Sequence, residues 1–215
     1  MKKEKNLSVI TSVFIALLII SGSLAIVTFF KPFYYWHIDW LNLTSEVNYS
    51  VAEIRQAYTE IINYLVGFSK EFSAGVFAFS ESGAAHFEDV KKLFILDLWC
   101  VAVCAVALIG IYFVTKKNDI KFYRFRNHGP LFWGPSVLIA SFVTIAGLAS
   151  LNFDRAFTIF HKIFFPGKDN WIFSSATDPI IKVLPQTFFM DCAILILAIV
   201  LTACTICILI DNKHK

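Results

Sequence analysis

Four long apolar runs divide the chain. They cover residues 7–30, 93–114, 131–151 and 188–210, and each is 21 to 24 residues long. A helix needs about 20 residues to cross a hydrocarbon core of roughly 30 Å, so each run is long enough to be a membrane span. The pattern therefore predicts an all-α integral membrane protein with four transmembrane helices, forming a single membrane domain over residues 1–215.

The composition agrees with this fold class. Apolar residues make up 57% of the chain and charged residues only 16%. This excludes a disordered chain and argues against a soluble enzyme. Nucleic-acid binding is not expected, because it would require a basic face on a soluble module. The first run exceeds the 7–15 apolar residues typical of a signal-peptide core, so we expect it to be retained as a span.

Basic residues are distributed unequally between the segments that connect the spans. The N-terminal tail, the 115–130 loop and the C-terminal tail hold 10 Lys and Arg in 27 residues, whereas loops 31–92 and 152–187 hold 9 in 98 residues. Lys and Arg near membrane spans mark the cytoplasmic side. Both termini are therefore predicted to be cytoplasmic, and both long loops extracellular.

The two extracellular loops are predicted to contain amphipathic or interfacial helices. Apolar residues recur at alternating steps of four and three over residues 47–68, which is typical of one helical face. Thr44 or Ser45 could cap this helix. A second helix is expected to begin near Ser82 and run into the second span. A third helix, rich in phenylalanine, is expected before Pro166-Gly167.

Two histidines carry the chemistry that the sequence suggests. His86 and His161 both lie at predicted membrane boundaries. Asp89 follows His86 by three residues and Asp154 precedes His161 by seven, so each aspartate would share a helical face with its histidine. Asp97 shares the face of His86, about three turns deeper. Histidine is the side chain best matched to proton transfer near neutral pH. Proton transfer, metal binding and a purely structural role all remain possible from the spacing. His37 is expected to be a surface histidine in an aromatic interfacial stretch.

These histidine segments resemble those of the lipoprotein intramolecular transacylases, which are small four-span bacterial membrane proteins. Phe87 departs mildly from the family pattern, where an aliphatic residue or Met is more common. The matching positions are Ser80-Glu81, His86 to Lys91, Phe160 to Phe165, Trp171, Asp178, Leu184-Pro185 and Phe188-Phe189.

The resemblance implies an intramolecular O-to-N acyltransferase in the bacterial cell membrane, with its active site facing the extracellular side. Its substrates would be lipoproteins whose N-terminal cysteine carries an S-diacylglyceryl group. The sn-2 acyl chain would move to the cysteine α-amine, giving the N-acyl S-monoacylglyceryl (lyso) form. His86 and His161 would act as acid and base, or one would accept the acyl chain. Membrane lipid is the expected surrounding, and neither a cofactor nor a metal is expected.

The sequence also suggests supporting roles for four charged residues. Asp89 and Asp154 would orient the imidazole rings, and Arg155 could stabilise the oxyanion of the reaction intermediate. Asp97 would lie behind the site or serve the fold alone.

Two other functions remain open at this stage. The protein could be a non-enzymatic assembly factor or a small transporter subunit that binds a partner through the 47–68 helix. Such a protein should tolerate alanine at both histidines. It could also be a lipid head-group hydrolase with a metal held by His86, His161 and an aspartate, which a chelator would inhibit.

Overall fold

The computed structural model describes residues 2–213, and this part of the chain forms α-helices, short 3₁₀ turns and loops. Four helices, Lys2–Phe29, Glu81–Lys117, Pro130–Leu151 and Gln186–Lys213, are long and apolar enough to cross a membrane. The all-α fold with four candidate spans is thus confirmed, whereas the single domain and the side on which the termini lie stay predictions. The helices are α1 (Lys2–Phe29), α2 (Lys31–Trp40), α3 (Val51–Leu65), α4 (Glu81–Lys117), α5 (Pro130–Leu151), α6 (Phe153–Phe164) and α7 (Gln186–Lys213).

The described chain separates into two compact units. The span unit contains the residues through Ala25, Asp97–Leu148 and the residues from Leu195 onwards. The loop unit contains Ile26–Leu96 and Ala149–Ile194. All of α2, α3 and α6, and the first sixteen residues of α4, belong to the loop unit.

Small side chains fill the interior of the span unit, while large apolar ones face outwards. Thr11, Ser23 and Cys204 are buried, and the two hydroxyls donate to carbonyls four residues earlier in the same helix, at 2.8 and 2.6 Å. Such bonds satisfy polar groups where no water is available. Val106 and Leu148 are 71% and 66% exposed. An apolar exterior of this kind is suited to lipid and would be a liability in water.

A buried carboxylate fastens the basic loop between α4 and α5 to the end of α7. Asp211 is 3% exposed and accepts hydrogen bonds from Arg124 Nη2 at 3.0 Å and from the backbone N–H of Gly129 at 3.1 Å. Nδ1 of His128 lies 3.3 Å from the same carboxylate. These contacts hold the loop in one position, because a buried carboxylate needs several partners to offset its lost hydration.

Helix α3 is shorter than its apolar stripe and starts later than expected. Ser50, rather than Thr44 or Ser45, is its N-cap, and it forms a capping box with Glu53. The earlier residues belong to a separate 3₁₀ turn, Leu43–Ser45. A Ser and a Glu three positions apart satisfy two free N–H groups at once, which explains the start at Val51. The apolar face of α3 is buried within the protein, at Ile54, Ala57, Tyr58, Ile61, Ile62, Tyr64 and Leu65.

The expectation for His37 was wrong, because this residue is buried. It lies on α2, which starts two residues after the end of α1 and packs against the start of α7. Nδ1 of His37 lies 2.7 Å from the carbonyl oxygen of Phe33, and Nε2 lies 3.0 Å from Oδ2 of Asp191. The ring of Phe188 lies against it at 5.3 Å. The pairing with Asp191 accounts for a carboxylate within an otherwise apolar run.

A close approach between α1 and α5 gives the first testable prediction. A Cβ added at Gly134 would lie 3.0 Å from the backbone carbon of Ser12 and would collide with its oxygen. Gly134→Ala should therefore push the helices apart and destabilise the protein by about 1–3 kcal/mol. Thermal unfolding in detergent measures the effect.

The matched control is Gly110→Ala on α4, where a Cβ meets no atom within 4 Å. It should leave the unfolding temperature unchanged or raise it slightly, because alanine favours helix more than glycine does. Equal effects of the two substitutions would contradict the predicted contact.

Candidate active site

The start of α4 is held by a buried carboxylate from another segment. Asp178 is 3% exposed and accepts from the backbone N–H of Ser80 at 2.8 Å and from its hydroxyl, also at 2.8 Å. The Ser80 hydroxyl in turn accepts from the N–H of Gly83 at 2.9 Å. Burial raises the pKa of Asp178, but hydrogen bonds from Ser80 and Thr177 outweigh it and leave the pKa below its ordinary value. This network fixes the helical turn that precedes His86.

His161 lies in the last turn of α6. Asn152 caps this helix by accepting from the N–H of Arg155 at 2.9 Å. Nδ1 of His161 lies 2.7 Å from the carbonyl oxygen of Phe157, four residues earlier. A carbonyl oxygen can only accept, so Nδ1 carries the proton. The neutral ring therefore has its lone pair on Nε2.

The two histidines predicted from the sequence lie side by side in the loop unit. Their ring centroids are 5.7 Å apart, and the planes are tilted by 34°. His86 is 5% exposed and His161 is 7% exposed. The structure thus brings together two residues that are 75 positions apart in the chain, although their catalytic role stays a prediction.

Aromatic rings enclose the pair. Phe165 and Phe173 meet His86 edge-on at 5.0 and 5.5 Å. Trp171 stacks on His161 at 4.7 Å, and its indole N–H donates to the carbonyl of Lys168 at 2.9 Å. These walls limit access of water to the imidazoles.

Asp89 is the centre of a small charged network one turn after His86. Nζ of Lys168 lies 2.6 Å from Oδ1 of Asp89, and Nζ of Lys92 lies 3.4 Å from the same atom. The amide nitrogen of Asn170 donates to Oδ2 at 3.1 Å. The carboxylate is therefore neutralised by lysines, and the amide of Asn170 connects it to the neighbourhood of His86.

The other supporting residues lie away from the rings. Asp154 is exposed and accepts from Gln186 at 2.8 Å. It precedes His161 by seven residues, which is about 10 Å along a helix, so sharing a face does not bring the two into contact. Arg155 is exposed on the same turn as Asp154. Asp97 follows His86 by about three turns of α4 and faces the hydroxyl of Ser21.

Sequence reasoning assigned no role to the residues that the segment after α6 contributes to the site. Lys168, Asn170 and Asp178 lie in loops, where side-chain direction follows no period. Asp178 is one of the positions that match the transacylase pattern, but that match indicated neither a role for its carboxylate nor the contact with α4. Nothing in the order of residues connects Asn170 with Asp89, because 81 positions separate them.

Burial controls the protonation of the site. Desolvation lowers the pKa of His161 below its ordinary value of 6.5, and the hydrogen bond to Phe157 offsets only part of this effect. Burial also disfavours the charged form of the His86 ring, and a charged His161 at this distance would disfavour it further by repulsion. The two rings are therefore arranged to rest in the neutral form, with a base available at neutral pH.

Among residues 2–213, no group of three His, Cys, Asp or Glu side chains is arranged to hold a metal ion.

The fold and the site together define a four-span membrane protein that buries a histidine pair beneath aromatic loops. A family model described as lipoprotein intramolecular transacylase Lit matches residues 9–189, and the chain belongs to this family. A search of curated proteins gave no match.

Solved structures are similar over nearly the whole chain. The lipoprotein intramolecular transacylase Lit from Bacillus cereus superposes with a TM-score of 0.87 at 24% identity, covering 100% of this chain and 99% of that one. Structures of the same protein with a histidine replaced by arginine or by alanine give TM-scores of 0.82 at 25% identity. They cover 99% of this chain and 92% or 93% of theirs. This likeness supports the fold described above.

The contact between Asp178 and Ser80 gives a prediction for the site. Asp178→Ala should release the loop that carries Trp171 and Phe173, because the N–H of Ser80 loses its acceptor. Displacement of catalytic groups by about 1 Å can cost about 10²-fold in rate, so we expect a loss of this order. Activity on a reporter lipoprotein measures it. Asp169→Ala, at an exposed position in the same loop, is the control and should retain activity. Equal losses in the two variants would exclude the proposed contact as the cause.

The lowered pKa of His161 predicts how stability depends on pH. Below pH 6.5 the unfolded chain binds a proton at this residue before the folded chain does, so acid favours unfolding. Wild type should therefore lose stability relative to His161→Gln as the pH falls from 7.5 to 5.5, and the difference should be constant above 7. Unfolding temperatures of the two proteins in the same detergent measure this difference. A difference independent of pH would show that His161 is not a buried neutral ring.

Proposed function

We propose that this member of the transacylase family acts on bacterial lipoproteins whose N-terminal cysteine carries an S-diacylglyceryl group. It transfers the sn-2 acyl chain to the α-amine of the same cysteine, and His86 and His161 serve the transfer. The observation that carries the proposal is the adjacency of two buried imidazoles in a family named for this reaction. Donor and acceptor belong to one substrate molecule.

The reaction requires one proton to move between two atoms of the substrate. The amine nitrogen attacks the ester carbonyl, the C–N bond forms, and the bond from that carbon to the sn-2 oxygen breaks. One imidazole accepts the proton that the nitrogen loses, and the sn-2 oxygen receives a proton as it leaves. An α-amine has a pKa of about 7.7–8.0, so a neutral imidazole is a sufficient base.

Intramolecularity explains how so small a protein could promote this reaction. Well-oriented groups within one molecule react as though at an effective concentration of about 10⁵ M or more. The protein then mainly has to hold the cysteine amine against the ester and provide the base. The aromatic walls around the pair support this role, because they can contact acyl chains and keep bulk water from competing with the amine.

We propose further that the site faces the extracellular side of the cell membrane. The dense Lys and Arg residues of the terminal and 115–130 segments support cytoplasmic termini. On helix α6, the side chains of Phe160, Ile163 and Phe164 are 47–66% exposed beside the buried His161. A helix with such an apolar outer face is suited to the boundary between head groups and acyl chains, where the sn-2 ester of a lipoprotein lies.

The rival function as a partner-binding protein loses its main support. It required the apolar face of the 47–68 helix to be available, and that face is buried. A metal-dependent lipid head-group hydrolase would be inhibited by a chelator, which distinguishes it from the transacylase. Neither alternative has a specific observation in its favour.

Mass spectrometry of a reporter lipoprotein tests the proposal. Cells lacking this protein would express wild type, His86→Gln or His161→Gln, with membrane levels checked. Wild type should convert the S-diacyl N-terminus to the N-acyl S-monoacyl form without changing the total acyl count. Each substitution should lower conversion by about 10²-fold or more, because a general acid–base group is lost.

His128→Gln is the matched control, since this histidine contacts Asp211 in the span unit and should not affect the chemistry. If the reporter stays S-diacyl with wild type present, the proposed reaction is wrong. If wild type converts it and either site variant does so equally well, the assignment of that histidine is wrong.

A further inference from the structure

Two buried polar atoms of the site lack a hydrogen-bond partner among residues 2–213. They are Nδ1 of His86 and Oδ1 of Asn170. One can donate a proton and the other can only accept. Burial of such atoms without a partner is unfavourable, and in native proteins they are nearly always paired. The Asn170 amide also lies within interaction range of the His86 ring.

The other end of Asn170 fixes which way its amide points. Nδ2 donates to Oδ2 of Asp89 at 3.1 Å, and a carboxylate can only accept. Oδ1 is consequently the free end of the amide. Since Asp89 follows His86 by three residues on α4, the carboxylate and the imidazole lie on one face of the helix. An amide anchored on the carboxylate can therefore reach the ring with its oxygen.

We propose that Asn170 is a positioning residue for the transfer reaction, and that its Oδ1 accepts the Nδ1–H of His86. This bond would hold His86 in the tautomer with the lone pair on Nε2. His161 already has this tautomer, because its Nδ1 faces the carbonyl of Phe157. Both imidazoles then have Nε2 as the basic atom, and in each ring Nδ1–H donates to a neutral carbonyl oxygen.

The choice of an amide rather than a carboxylate has a chemical consequence. A carboxylate directly on Nδ1 would favour the charged imidazolium, which has no lone pair for the amine proton. With the amide between them, the negative charge of Asp89 stabilises the imidazolium of His86 less than a directly bonded carboxylate would. The titratable and charged groups that face His86 are His161 on α6, Asp89 on α4 and Lys168 in the loop after α6. Lys92 contacts Asp89. The two lysines offset the charge of Asp89, so it opposes the effect of burial only weakly and the ring stays neutral.

The meaning of this inference for catalysis rests on the proposed function, but its test does not. Ring nitrogens in ¹⁵N-histidine-labelled protein report the tautomer of each resting imidazole, and His86→Gln assigns the signals. In wild type at pH 7.5, Nδ1 of His86 should be protonated and Nε2 unprotonated. In Asn170→Ala, the signal should move towards the opposite tautomer, with Nε2 protonated.

Two further variants separate positioning from folding. Asn170→Asp keeps an oxygen for Nδ1 but loses the donor to Asp89, so it should retain the wild-type tautomer and bind a proton at His86 at higher pH. Asn118→Ala, at an exposed position on the chain after α4, is the matched control and should leave the signals unchanged.

Activity provides the second readout. At metal centres, loss of a residue that orients a histidine ligand through a hydrogen bond costs about 10–100-fold, and on that scale Asn170→Ala should lower kcat by about tenfold or more. KM should change little, because the amide oxygen that would be lost is buried. If wild-type His86 has its proton on Nε2, or if Asn170→Ala leaves the tautomer unchanged, the inference is overturned whatever the activity. A correct tautomer without transacylation would leave this inference standing and remove the proposed function.

Discussion

The contact between Asp178 and the first turn of α4 is the constraint on which the site depends. The carboxylate accepts from Ser80, and Gly83 leaves room for it: a Cβ there would lie 3.0 Å from Cγ of Asp178 and 3.1 Å from Phe173. The same approach therefore sets both the start of the helix and the position of an aromatic ring against His86. Negative charge at a helix N-terminus is also favourable in itself. One interaction thus joins the loop after α6 to the helix that presents the first histidine.

The loop held in this way contributes what neither histidine helix could provide. Trp171 covers His161, and Asn170 and Lys168 contact Asp89. These residues lie close together in sequence but point to different partners. Irregular backbone makes this possible, because successive side chains of a helix are fixed at intervals of about 100° and cannot all face one site.

Long apolar runs and periodic residue patterns were the features that could be predicted from the sequence. Apolar runs predicted four spans, and helical spacing placed Asp89 on the face of His86. The same argument failed where distance along the helix mattered: Asp154 shares a face with His161 but contacts Gln186 instead. His37 was misjudged because its burial depends on the packing of α2 against the start of α7, which no local pattern records. The partners supplied by loops, above all Asn170, have no period, so only the three-dimensional structure reveals their contacts.

Neutrality of the histidine pair connects the structure with the proposed chemistry. The transfer removes a proton from nitrogen and returns one to oxygen within a single substrate molecule, so no net proton is taken up. A site for such a reaction needs a base that is uncharged at rest and that gives its proton back at once. Burial disfavours imidazolium, and a backbone carbonyl on Nδ1 of His161 leaves Nε2 free. The amide of Asn170 separates Asp89 from His86, and lysines neutralise the carboxylate. A carboxylate in direct contact, as in many hydrolases, would stabilise the charged ring and retain the proton that the leaving sn-2 oxygen requires.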